Sequence, residues 1–508
     1  MRADQVTGLI PDDGDDRRLL EHVRPSDWRN PTPSERYHLV VVGAGTGGLV
    51  SAAIASSLGA RVALVERHLM GGDCLNFGCV PSKGVLRAAR AWHEARRAAP
   101  EFGGPAVAPG PGDFARAMAR MRQLRSEIAP VDGAARFRDM GVDVFLGEGR
   151  FVASDELAVG NARLRFRKAI VATGGRASAP SLEGLGDVPY LTNETVFSLT
   201  ELPQRLGVLG GGPIGCELAQ AFTRFGAEVH LFQRGHRLLP KDDAEAGAIV
   251  ARALQREGVR VELEAEVRSV AAADDGIQVS FETAGAVQAQ GVDQLLIAAG
   301  RRPNVEGLGL EAAGVEYSPR GIEVDSRLRT TNKNIFAIGD VASKLQFTHL
   351  ADFQARLAVR NALFFGRGKA GDLVVPWCTY TSPEVAHVGH SPASAAEEGH
   401  EVETLTIPLE DVDRARLDGS SEGFLRVHLK KGSDRILGGT LVAEHAGDMI
   451  GHLSFAITHR LGLSKFSETM FPYPTQAEIF RKAGDQFNRR KLTPAASRFF
   501  DLWFRWFR

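Results

Sequence analysis

Two stretches of this chain carry the same strand–turn–helix–strand punctuation, and together they restrict the fold more than anything else in it. In the first, an apolar run at 38–42 feeds Gly43-Ala44-Gly45-Thr46-Gly47-Gly48. A small-residue helix at 49–58 and a second apolar run at 61–66, ending in Glu66, follow. Gly43, Gly45 and Gly48 satisfy G-x-G-x-x-G. The first glycine allows the tight turn, the second lets backbone approach a pyrophosphate, and the third lets helix and strand pack closely. The helix N-terminus favours the phosphate charge, and the terminal acid is placed to accept hydrogen bonds from a ribose. The pattern returns with a strand at 205–209, Gly210, Gly212 and Gly215 in the turn, a helix at 216–225 and a strand at 228–232. Two such units predict two doubly wound nucleotide-binding domains.

The remainder is consistent with a chain of 508 residues, long enough for more than one core. The runs 169–174 and 295–300 end in Ala-Thr-Gly and Ala-Ala-Gly, and each closes one unit. From 374 to 441 the texture changes to alternating strands, followed by a helical stretch near 448–461, which predicts a third, α+β domain. The fold class is therefore α/β: two doubly wound nucleotide-binding domains plus an α+β C-terminal dimerisation domain. Residues 1–35, polar and containing Pro25, Pro31 and Pro33, read as an extended arm. A net charge of -1 gives no reason to expect a nucleic-acid partner. Four cysteines make no disulfide scaffold and point to a reducing, cytoplasmic location. The N-terminus lacks the apolar segment of a secretory signal.

Just past the first unit lies Gly71-Gly72-Asp73-Cys74-Leu75-Asn76-Phe77-Gly78-Cys79-Val80-Pro81-Ser82-Lys83. In an ideal helix, positions five apart differ by about 140° in azimuth and about 7.5 Å in rise. A disulfide needs Cα atoms about 4.4–6.8 Å apart, so Cys74 and Cys79 require an irregular turn, which the flanking glycines permit. A helix beginning near Cys79 would put Lys83 on the same face, and both the helix N-terminus and the cation favour a thiolate. The competing readings are a buried inert pair and half of a metal site. No second Cys or Cys-His pair stands at zinc spacing, so no metal ligands are assigned.

This segment closely resembles the active-site motif of flavin disulfide reductases of the dihydrolipoamide dehydrogenase, glutathione reductase and mercuric reductase type. The resemblance runs from about residue 36 to 488. Residues 331–340, TNKNIFAIGD, look like the second flavin motif, with Asp340 toward the ribityl chain. Ala172-Thr173-Gly174 looks like the junction of the flavin and nicotinamide domains. The resemblance implies FAD, a nicotinamide cofactor and a homodimer. Its boundaries would be 36–190 and 306–372 for the FAD-binding domain, 191–305 for the NAD(P)-binding domain, 373–488 for the interface domain and 489–508 for an amphipathic tail. It also implies Cys79 as the thiol against the flavin and Cys74 as the interchange thiol. Lys83 would sit near the ring, paired with Glu217. Cys216 and Cys378 read as packed small hydrophobes.

The strand after the second glycine loop ends Phe232-Gln233-Arg234, with Arg237 nearby. An acid there would select NAD, whereas the arginines suit a 2′-phosphate, so NADPH is expected, with NADH as the alternative. Disulfide reductases of this type usually carry His-Pro-Thr-x-x-Glu near the C-terminus, donated across the dimer. Here the chain reads Phe471-Pro472-Tyr473-Pro474-Thr475-Gln476-Ala477-Glu478. Tyr473 stands where the acid–base histidine belongs, and its reference pKa near 10 makes it a poor shuttle at neutral pH. Mercuric reductases share this tyrosine. Hg(II) is soft and suits thiolates. They usually also end in a vicinal cysteine pair, and no cysteine follows Cys378 here.

The expected activity is thus electron transfer from NADPH through FAD and the Cys74–Cys79 dithiol to a metal ion such as Hg(II) or a small disulfide. Two rivals are a membrane-surface NAD(P)H:quinone-type dehydrogenase and a flavoprotein sensor with vestigial catalysis. Arg116, Arg120, Arg122 and Arg125 read as a solvated helix face, and His445, His452 and His459 as structural. In the tail, Arg498, Asp501, Arg505 and Arg508 share one helical side with six aromatics around the rest, a composition suited to peripheral membrane contact or to docking on protein.

Overall fold

The computed structural model describes residues 13–108, 110, 112–490 and 492–507. The chain divides into two compact units. The first runs up to Gly210 and includes Leu218–Arg234 and Gly258–Leu373; the second comprises Gly211–Glu217, Gly235–Glu257 and the chain from Val374 onward.

The first unit contains both parallel sheets. In one, the strands Val142–Leu146, Val62–Glu66, Tyr37–Val42, Ala162–Val171 and Ile335–Ala337 run parallel in that spatial order. Val40, Val41 and Val42 are buried, as expected of a strand covered on both faces. Val42 lies opposite Val65 on one side and Val171 on the other, so the glycine loop after Val42 leaves the sheet at its carboxyl end. Ala162–Val171 also continues into an antiparallel meander with Glu156–Val159 and Gly149–Ala153. The small-residue helix Thr46–Ser57 packs closely on Thr348–Leu363, and its Ala52 and Ala55 are fully buried. The second parallel sheet has the order Arg260–Leu263, Glu228–Gln233, Arg205–Leu209, Gln294–Ile297. A three-stranded antiparallel meander, Glu266–Ala273, Gly276–Thr283 and Ala286–Val292, accompanies it.

The second unit is built on a five-stranded antiparallel sheet ordered Pro376–Thr379, Glu384–Gly389, Ile436–Ala443, Phe424–Lys430, Val402–Pro408. Its core gathers Leu425, Val427, Leu441 and Leu453 with Ile479 and Phe480 from the helix Glu478–Arg489. This is the α+β domain expected from the change of texture.

Two expectations need correction. The arm is not extended throughout: Gly14–Val23 is a helix, capped by Asp13, whose carboxylate accepts the Asp15 and Asp16 N–H groups. Leu19 and Val23 enter the same core as Leu39, Val41 and Leu64. The prolines that suggested extension all follow this helix; residues 1–12 lie outside the described residues. The arginine face on Phe114–Ile128 is solvated only in part: Arg116 and Arg120 are exposed as expected, but Arg122 and Arg125 are buried against the arm helix.

Candidate functional site

The first glycine loop is shaped by contact. Gly43 has φ +99°, and a Cβ there would sit 2.4 Å from the Ala172 carbonyl oxygen. A Cβ on Gly48 would fall 1.8 Å from the Gly43 oxygen. At Gly45 a Cβ would meet only Gly72 Cα, at 3.8 Å, so space over the loop stays open, as a pyrophosphate needs. Glu66, at the end of its strand, accepts the Ala44 N–H at 2.7 Å and the His68 N–H at 2.7 Å. A carboxylate has about four lone-pair sites, so acceptor capacity remains for a ribose. Thr173 and Gly174 are tied to Asn304, just past the strand Arg301–Pro303: Thr173 Oγ1 donates to the Asn304 carbonyl at 2.7 Å, the Asn304 amide donates to the Thr173 carbonyl at 2.9 Å, and the Asn304 N–H donates to the Gly174 carbonyl at 2.9 Å.

Cys74 lies in the short helix Gly72–Asn76, and Cys79 opens the long helix Cys79–Phe102, so the irregular turn falls between them, through Phe77 and Gly78. Both are free thiols here, Cys74 half-buried and Cys79 exposed. Pro81 stands in the first turn of that helix, where its missing N–H has no cost. The two thiols are electrostatically distinct. The hydrogen bond from Cys74, together with Thr348 and the Lys83 charge, lowers Cys79 to about 6 against the opposing effect of burial. The same hydrogen bond, then burial and the charge on Cys79, push Cys74 up. Thr348 Oγ1 lies 3.3 Å from the Cys79 sulfur, at the N-terminus of Thr348–Leu363. The pair is therefore poised as one thiolate and one thiol near neutrality.

Asp340 sits in the turn after Ile335–Ala337, and burial raises its pKa. Arg301 approaches it at 3.5 Å and Asp73, beside Cys74, at 3.2 Å, while the Asn193 amide donates to Asp73 at 3.0 Å. Arg301, Asp73, Asn193 and Thr348 were not singled out from sequence. Two of them left a signal: Asp73 stands inside the cysteine motif, and Arg301 directly follows the closing Ala-Ala-Gly of the second unit.

In the second nucleotide loop, Gly210 has φ +118°, and its Cβ would sit 2.6 Å from the Ala298 oxygen, the same close approach as at Gly43. A Cβ on Gly212 would meet nothing. Gly215 lies in the first turn of Pro213–Phe225. Arg234 is exposed after its strand. In the second unit, Arg237 donates to the Pro240 carbonyl at 2.7 Å, and the buried Glu217 accepts the Tyr380 N–H at 2.8 Å. Cys216 is fully buried and burial raises its pKa, which keeps it a thiol. Tyr473 is 70% exposed, and its hydroxyl donates to Asp413 at 3.0 Å. That bond raises the phenol above its ordinary value and leaves it still less able to shuttle a proton. Glu478 is buried and ion-paired with Arg481. His452 is exposed, and its ring stacks against the buried Phe480. Among the described residues, no group of three or more His, Cys, Asp or Glu is placed to hold a metal ion.

This arrangement of paired glycine loops and a polarised dithiol defines a flavin-dependent disulfide reductase. The chain belongs to the pyridine nucleotide-disulphide oxidoreductase family, whose domain matches residues 37–355 and whose dimerisation domain matches residues 375–484. It is therefore an oxidoreductase using FAD and NAD(P)H, with mercuric reductase-like sequence. It is 35% identical to a mercuric reductase of Bacillus cereus over 93% of this chain and 75% of the relative. It is 32% identical to a dihydrolipoyl dehydrogenase of Bacillus subtilis over 88% and 95%. Among solved structures, the HOCl-induced flavoprotein disulfide reductase RclA of Escherichia coli has a TM-score of 0.77 at 29% identity, covering 88% of this chain and 99% of that one. RclA has also been solved as a Cu(II) complex.

Proposed function

We propose that the protein is an NADPH-dependent reductase whose acceptor is a soft metal ion of the Hg(II) class, bound directly by Cys74 and Cys79. One observation carries the reading: the position that would hold a proton-shuttling histidine is Tyr473, whose phenol is held above its ordinary pKa by Asp413. Dithiol–disulfide exchange needs a proton for the leaving thiolate, whereas a cation held by two thiolates does not. Bound FAD would supply two-electron transfer between the nicotinamide and the Cys74–Cys79 disulfide. Gly43, Gly45, Gly48 and Glu66 would hold its pyrophosphate and ribose, and Asp340 its ribityl chain. Thr173 and Gly174 would hold the junction beside it. Lys83 would supply a positive charge beside the ring. Gly210, Gly212 and Gly215 would hold the nicotinamide cofactor, with Arg234 and Arg237 on the 2′-phosphate. Overall, NADPH loses a hydride, Hg(II) gains its two electrons to become Hg(0), and one proton is released. Tyr473 and Glu478 would come from the second subunit of a homodimer, a reading favoured by the dimerisation domain.

Steady-state turnover tests this. NADPH should be oxidised with Hg(II) at a kcat/KM well above that with lipoamide or glutathione disulfide, and above that of NADH with Hg(II). A higher kcat/KM with either disulfide would overturn the metal reading. Quinone reduction that survives Cys79→Ser would replace it with a cysteine-independent dehydrogenase.

A peripheral membrane contact is a separate part of the proposal. The helix Pro494–Trp506 has no buried residue, and Phe499, Phe500, Trp503, Phe504 and Phe507 are exposed on the side away from Arg498 and Arg505. Arg508 lies outside the described residues. Anionic liposomes should cosediment the full chain but not a 1–494 truncation, and equal cosedimentation would rule the contact out.

A further inference from the structure

The buried arginines of the helix Phe114–Ile128 lead to the cysteine loop. Arg125 donates through Nη2 to Asp16 of the arm helix at 2.6 Å and through Nη1 to the Asn76 backbone carbonyl at 2.9 Å. Its side chain is 3% exposed and that of Asp16 1%. Asn76 lies between the two cysteines and is itself fully buried, its amide donating to the carbonyls of Met70 and Gly72. A neighbouring pair repeats the link, with Arg122 Nε donating to Asp13 at 2.6 Å. The backbone adds a third, from the Met70 N–H to the Val23 carbonyl at 3.1 Å.

A stability role alone explains this poorly. Removing two charges from water is costly, and the attraction repays it only when the remaining polar atoms are satisfied. Here Asp16 Oδ2, Arg125 Nε, Arg122 Nη1 and Asn76 Oδ1 are buried with no hydrogen-bond partner in the protein. What the pair does achieve is geometric. A planar guanidinium can hold a carboxylate and a carbonyl at once, along fixed directions. Fixing the Asn76 carbonyl fixes the peptide plane that leads into Phe77, Gly78 and Cys79.

We infer that Asp16 and Arg125 are positioning residues: the arm, which lies outside the matched family domain, orients Arg125 so that it sets the spacing of Cys74 and Cys79. The inference rests on these cysteines being the redox pair. The thiol–thiol hydrogen bond is the largest influence lowering Cys79, so a loosened turn returns Cys79 toward an ordinary thiol.

The test uses the FAD-loaded enzyme with anaerobic NADPH reduction, reading the long-wavelength thiolate-to-flavin charge-transfer absorbance against pH. Arg125→Lys keeps a positive charge beside Asp16, but a single ammonium cannot serve both partners in the same geometry. Asp16→Leu/Arg125→Met replaces the pair with apolar side chains, an exchange that buried pairs commonly tolerate. In both variants, with flavin content and thermal midpoint retained, the midpoint of the absorbance titration should rise. At pH 6.5 the charge-transfer absorbance per flavin should fall about twofold or more. The positioning role is overturned if either folded variant titrates as the unsubstituted enzyme does, and if one variant fails to fold the other decides. A wild-type enzyme with no charge-transfer absorbance would instead overturn the redox-pair reading itself.

Discussion

Cys79 owes its acidity to three neighbours, and each can be removed separately. Because its thiol sits near 6 while Cys74 is pushed up, the two-electron-reduced enzyme should hold one thiolate across the neutral range. The charge-transfer absorbance should therefore be lost as pH falls through about 6, and Cys79→Ser should abolish it at every pH. Thr348→Val keeps the shape and deletes the hydroxyl 3.3 Å from the sulfur. A hydrogen bond to a charged group contributes about 1.5–3 kcal/mol. Losing it should lower the thiolate-to-thiol ratio at fixed pH by roughly tenfold, since each pKa unit is about 1.4 kcal/mol. An unchanged titration in Thr348→Val would show that the hydroxyl does not stabilise the thiolate. At this scale the sequence was informative only where chemistry is written locally. The cysteines and Lys83 stand at fixed short spacings, whereas Thr348 reaches Cys79 from 269 residues away and leaves no local mark.

Among the elements, the glycine loops are the least tolerant of change. A methyl at Gly48 has no room, since it would meet the Gly43 carbonyl oxygen at 1.8 Å. Gly48→Ala should push helix from strand and spoil the loop, so the purified variant should show a several-fold lower flavin-to-protein absorbance ratio. Full flavin retention would mean that the loop can shift without losing the cofactor. These loops were readable because a turn squeezed between strand and helix demands glycine at set positions. The arm helix and the buried arginine face were not. Their partners Asp13 and Asp16 lie 109 residues from Arg122 and Arg125, and a charged row on a helix looks the same whether water or a carboxylate faces it. In the arm, Pro25, Pro31 and Pro33 all come after the helix ends, so they break nothing in it.

For the whole molecule, the proposal places Tyr473 and Glu478 of one subunit at the dithiol of the other. With Tyr473 as a wall of the acceptor site rather than a proton shuttle, subunits carrying Cys79→Ser and subunits carrying Tyr473→Ala would each be impaired alone. Co-expressed, a mixed dimer contains one site with both native residues, so Hg(II) turnover should reappear. No recovery in isolated mixed dimers would place Tyr473 outside the neighbouring site. The fold class was legible because the strand–glycine–helix runs and the later alternating strands each carry their own local pattern. The segment that interleaves with them from the N-terminus was not.

That segment also shifts where the protein begins as a folding unit. The matched family domain starts at residue 37, but Leu19 and Val23 are interior residues of the first core. A chain trimmed to the homologous boundary would keep every nucleotide-binding motif yet expose an apolar scar on the flavin domain, inviting aggregation. Limited proteolysis of the native enzyme should accordingly spare the 14–23 helix, and the smallest stable fragment should be longer than the family alignment suggests.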